Sequence, residues 1–141
     1  MPSQIVKYQR KISGPITDRI DMHVDVDEVL HGKLLSSTPT ESSQEIRLRV
    51  ASARKLQAKR FGSSQKTNSD MTNQDIKKIG RLSKQAKELL DQAASKLQIS
   101  ARSYMRSIKV ARTIADLENS AEILPEHISE ALQYRRRNLS L

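Results

Sequence analysis

Apolar residues recur along this chain with two different periods. From residue 42 onward they return every three or four positions, which predicts amphipathic helices; between 20 and 26 they alternate, which predicts a strand with one apolar face. Ahead of that strand, Ser3 is placed to cap a helix over 4–12, with Ile5, Tyr8 and Ile12 on one side. Ser13-Gly14-Pro15 must end it, since Gly takes a left-handed turn and Pro cannot continue the ladder. Ile20, Met22, Val24 and Val26 then alternate with Asp21, His23, Asp25 and Asp27. A single strand leaves its backbone groups unpaired, and nothing later in the chain offers a second one. The expectation is a remnant helix-turn-strand cut from a larger fold.

The rest reads as helices. Ser42 with Glu45 resembles a capping box and opens a helix to about Arg60, with Ile46, Val50, Ala53 and Leu56 expected inward. A polar loop covers 62–69. Thr72 with Asp75 caps a short helix carrying Ile76 and Ile79. Ser83 starts a strongly amphipathic helix with Ala86, Leu89, Leu90, Ala93, Ala94 and Leu97 on one face. Ser100 caps the next, about 101–118, where Ala101, Tyr104, Met105, Ile108, Ala111 and Ala115 share a face. Val110, Ile114 and Leu117 form a second apolar patch nearly opposite, so both sides are expected to be covered. Pro125 suits the first turn of a last helix with Ile128, Ala131 and Leu132 inward. The fold class is mainly α, a small helical bundle preceded by that remnant.

Charge sharpens the division into units. The 141 residues hold 25 Lys and Arg against 16 Asp and Glu, a net charge of +9. Residues 1–40 are balanced, so the whole excess falls in 41–141. The Ser/Thr-rich stretch 36–40, with Pro39, reads as a linker between a unit over 1–35 and a helical domain over 41–141. Cysteine is absent, which excludes disulfides, thiolate metal sites and thiol nucleophiles and fits a cytoplasmic location. No apolar run is long enough to span a membrane, and the first residues lack the apolar stretch of a signal peptide.

A search for chemistry finds no self-sufficient active site. The Gly32-Lys33 pair has Asp27 where a phosphate loop needs Gly and Leu34 where it needs a hydroxyl. His23, His31 and His127 are not spaced as metal ligands and read as surface or packing residues. Asp25, Asp27 and Glu28 lack the Gly and spacing of a calcium loop. Arginine is more informative. Arg19 lies between the Gly-Pro turn and the expected strand. Arg102 sits in the first turn of a helix, where its dipole disfavours a cation. Arg102, Arg106 and Lys109 share one flank, either a solvated basic stripe or a site for an anion such as phosphate.

These residues carry a resemblance. YQRKISGPITDRIDMHVDV (8–26), ESSQEIRLRVASAR (41–54), ISARSYMRSIKVARTIADLENS (99–120) and HISEALQYRRR (127–137) resemble, in order, the C-terminal part of magnesium-chelatase-like AAA+ ATPases. The likeness is strongest to the bacterial competence type. Two departures stand out: Ile16 and Thr17 replace the two leucines of the family's usual turn, and Gln98 replaces its usual Gly.

The resemblance implies a nucleotide-binding core ending at about residue 35 and a helical lid after the linker. It implies that Arg19 is an arginine finger acting in trans. Arg102 would be a sensor-two arginine acting in cis, with Arg106 a lesser nucleotide-binding candidate. The Walker A and B segments are expected upstream, so ATP and Mg2+ belong to the full-length protein and no hydrolysis is expected from this chain alone. The implied partners are that core, neighbouring subunits of a homo-oligomeric ring (a hexamer by family habit) and DNA, handled in uptake or recombination. The alternative is an independent basic helical module that binds nucleic acid or a protein partner through Arg47, Arg49, Arg54, Lys55, Lys59 and Arg60.

Overall fold

Helix starts in this protein are written in side-chain hydrogen bonds. The computed structural model describes residues 19–26, 28 and 41–135. Five α-helices fill the latter span: α1 Ser43–Phe61, α2 Asn73–Ile79, α3 Lys84–Lys96, α4 Ala101–Leu117 and α5 Pro125–Gln133, with a single 3₁₀ turn at Asn68–Asp70 between α1 and α2. Ser42 and Glu45 close a reciprocal capping box on α1, and Thr72 and Asp75 close another on α2. Ser83 and Ser100 each accept a backbone N–H at 3.2 Å to start α3 and α4. Gly62, in the left-handed region at φ 63°, ends α1. None of these helices is long and apolar enough to cross a membrane.

α4 runs through the middle. It packs against α5, α1, α2 and the 3₁₀ turn, while α3 packs against α5. Leu90, Ile108, Ala111, Ile123, Ile128 and Ala131 meet in the core, each at most 3% exposed. A fully buried Leu or Ile is worth about 1.5–3 kcal/mol against an exposed one. The loops at one end are tied by a short parallel bridge between Leu82 and Ile123. There, Ser83 N–H donates to Ile123 O at 3.0 Å and Ile123 N–H to Arg81 O at 2.8 Å.

The mainly helical expectation holds, and both apolar sides of α4 are used: Ile108 and Ala115 on one, Ile114 on the other. Three details differ. Residues 20–26 form no β-ladder: Ile20, Met22, Val24 and Val26 are all exposed, because the bundle offers them no strand edge. The helix expected over 4–12, the turn at 13–15, the linker and His31 lie outside the described residues. On α1, Ile46 and Val50 are 42% and 47% exposed, since that helix reaches the bundle only from Ala53 onward. Leu97 and Leu117 are likewise exposed, at helix ends that run past the core.

Two predictions follow from the backbone. Gln98, where the family's Gly is replaced, has φ 49°, a left-handed conformation that strains a side-chain-bearing residue. Gln98→Gly should therefore stabilise the fold by about 0.5–1 kcal/mol in urea titration, the strain relief exceeding the added chain entropy. The capping carboxylates give the second. Backbone N–H groups of Ser42, Thr67 and Thr72 hold Glu45, Asp70 and Asp75 below their ordinary values. A folded value below the unfolded one means stability that is present at neutral pH and lost on acidification. The melting temperature should fall as pH drops below about 4, and less steeply in Glu45→Gln/Asp70→Asn/Asp75→Asn.

Candidate functional site

The cations of this chain divide into those spent inside the fold and those left outside it. The internal group centres on Asp116, whose side chain is fully buried. Its Oδ2 accepts from Arg60 NH1 and Asn68 Nδ2, both at 2.8 Å. Its Oδ1 accepts from Arg60 NH2 and, at 3.2 Å, from Arg112 Nε. Four donors saturate the carboxylate. Arg112, 1% exposed, donates its remaining groups to Ala121 O at 3.1 Å and Ser120 O at 2.6 Å, fixing the loop after α4. Burial pushes the Arg112 guanidinium below its ordinary value, with Asp116 opposing and Arg60 reinforcing. Asn68 N–H donates to Gln57 Oε1 at 3.2 Å, which ties the 3₁₀ turn to α1 within the same network.

Two further contacts stiffen the frame. Tyr104 Oη donates to Asp91 Oδ1 at 2.7 Å and joins α4 to α3; burial first, then this bond, raises the phenol to about 12. His127 Nδ1 accepts from Leu124 N–H at 2.9 Å, so its proton sits on Nε2, which donates to Glu118 Oε2 at 2.9 Å. That buried imidazole is a helix cap, as its packing reading anticipated. Among the described residues no group of His, Asp and Glu is placed to hold a metal.

The expected site residues lie outside this network. Arg19 is exposed, in a turn at the start of the segment 19–26. Arg102 is exposed in the first turn of α4. Arg106, one turn further, is partly buried and pairs through Nε with Asp21 Oδ1 at 3.2 Å. Lys109 Nζ donates to Ser69 O at 2.8 Å. Of that flank, Arg102 alone has no hydrogen bond or ion pair among the described residues. The fold thus brings Asp21 and Arg106 together while Arg102 faces outward.

The basic series on α1 also divides. Arg60 is internal, Arg49 pairs with Glu41 and the exposed Arg54 donates to Ser64 O at 3.4 Å, leaving Arg47, Lys55 and Lys59 exposed. Sequence reasoning missed the Asp116 network, though one signal was present. Arg112 falls about 40° from Ile108, within the apolar face of α4, and Asp116 is its i+4 partner. Nothing in the sequence singles out Asn68 or Gln57.

Residues 40–135 match the family model described as magnesium chelatase, subunit ChlI C-terminal, and residues 1–34 match magnesium chelatase, subunit ChlI. Competence protein ComM of Haemophilus influenzae is 36% identical over 135 residues, 95% of this chain and 26% of the relative. YifB of Escherichia coli is 35% identical over 136 residues, again 95% of this chain and 26% of the relative. The chain spans about a quarter of the length of these relatives.

The two arginine classes should respond oppositely to substitution. Asp116→Asn leaves two guanidinium groups without their anion and should cost about 3–5 kcal/mol of unfolding free energy. Arg102→Ala should stay within about 0.5 kcal/mol. Urea titrations of both variants check this.

Proposed function

From its membership in the magnesium chelatase ChlI C-terminal family, to which this chain belongs, we propose that it is the lid and inter-subunit segment of a ring-forming AAA+ ATPase. Residues 1–35 are then the end of the nucleotide-binding core, 36–40 a linker and 41–141 the helical lid. The observation that carries this reading is the outward-facing Arg102. On a helix whose other two arginines are engaged, it stands in a first turn that disfavours a cation and has no acidic residue. A fold-stabilising role is a poor account of such a residue; contact with a phosphate supplied from elsewhere is a good one.

In this reading Arg102 meets the γ-phosphate of ATP held by its own subunit, and Arg19 reaches the nucleotide of the neighbour. Each guanidinium stabilises charge that develops on the transferring phosphoryl group. ATP and Mg2+ bind to the upstream core, and the lid alone does not hydrolyse. One matched relative is named a competence protein, which supports DNA, handled in uptake or recombination, as the substrate of the assembled ring. The compartment that suits this work is the cytoplasm.

The exposed Arg47, Arg54, Lys55 and Lys59 favour a second reading, an independent basic module that binds nucleic acid. Subunit mixing in the longer protein separates the two. Arg19→Ala and Arg102→Ala should each lower hydrolysis, the first by about 10³-fold or more. Arg19→Ala should recover partial activity when mixed with a subunit that cannot bind ATP but keeps its own arginine. Arg102→Ala should not recover, because its defect lies in the pocket that holds the ATP. The reverse pattern exchanges the cis and trans roles, and full hydrolysis by both variants removes the finger and sensor roles of the two arginines.

A further inference from the structure

Arg106 is held differently from every other cation on its flank. Its Nε stands 3.2 Å from Asp21 Oδ1, and its NH1 is buried with no hydrogen-bond partner among the described residues. A guanidinium shielded from water on one side depends on its carboxylate more than an exposed pair does. Asp21 lies two residues from Arg19, so fixing one holds the backbone of the other within about 7 Å of it at full chain extension. Burial of apolar groups does not anchor this segment: Ile20, Met22 and Val24 are 45%, 45% and 65% exposed. Polar contacts tie it to the bundle instead. His23 N–H donates to Tyr134 O at 2.7 Å, beyond the end of α5, and Asp21 pairs with Arg106 on α4.

We propose that Asp21 and Arg106 form a latch that sets the position of Arg19 relative to the helix carrying Arg102. The proposal rests on the roles given to those two arginines above and makes Arg106 a positioning residue in place of a phosphate ligand. Arg102 and Arg106 are one turn apart on a single rigid helix. When nucleotide in a subunit's own pocket draws Arg102, α4 moves as a unit and carries Asp21 with it. The arginine presented to the neighbour is thereby displaced, and this ion pair helps pass one subunit's nucleotide state to the next.

The absence of cysteine makes a direct test simple. Spin labels on cysteines introduced at Val26 and Lys96, both exposed, should give one narrow distance distribution in the 141-residue chain. Asp21→Ala and Arg106→Ala should each broaden it, and the reversed pair Asp21→Arg/Arg106→Asp should narrow it again. A parent distribution as broad as that of Asp21→Ala overturns the latch. In the longer ATPase, Asp21→Ala should lower kcat by about tenfold with KM for ATP within about twofold, and the reversed pair should restore part of the loss. Wild-type hydrolysis by Asp21→Ala overturns the positioning role. A raised KM in Arg106→Ala with no restoration by the reversed pair also overturns it, in favour of direct phosphate contact. Full hydrolysis by Arg19→Ala removes the finger reading and the coupling built on it, while the label distances still decide the latch.

Discussion

Asp116 is the one buried carboxylate among the described residues, in a chain with nine excess positive charges. Four donors converge on it from three segments: Arg60 near the end of α1, Asn68 in the 3₁₀ turn and Arg112 on α4 itself. The aliphatic core supplies most of the driving force for collapse, but Leu, Ile and Ala tolerate many packings. A carboxylate with its lone pairs saturated tolerates one. α1 is therefore docked in a single register, and the loop after α4 is pinned by the carbonyls that take the rest of Arg112.

That internal allocation gives meaning to what is left over. Basic residues on a helix usually face solvent with nothing to do, and composition alone cannot tell them from ligands. Here geometry sorts them. Arg60 and Arg112 are structural, Lys109 holds a backbone carbonyl, and Arg106 is tied to the segment 19–26. Arg102, exposed at the start of α4, is what this sorting leaves over on that flank.

The helices were legible because their signals are local. Ser42, Thr72, Ser83 and Ser100 cap where their spacing to the first apolar turn requires, and Pro125 opens α5. What the pattern misjudged is long-range. Ile46 and Val50 continue the apolar stripe of α1, yet periodicity carries no statement about where the neighbouring helices stop. Alternation at 20–26 has the same weakness, since a strand exists only when another edge receives it. The site was partly legible. Arg102 was marked by an unfavourable position, whereas Asp21 became relevant only when folding brought it to Arg106 across more than eighty residues. Arg112 was hidden in plain view, a charge inside an apolar face that its i+4 acid makes tolerable.

α1 is held unevenly along its length. Its second half is clamped by Arg60, and its first half, through Ser52, is exposed along its whole length. Ten helical residues extend for about 15 Å. A rotation of the bundle by about 10° therefore sweeps the free tip through about 3 Å, about the length of a hydrogen bond. The helix is a lever with its fulcrum at Asp116, and Glu41 rides at the long end of the arm.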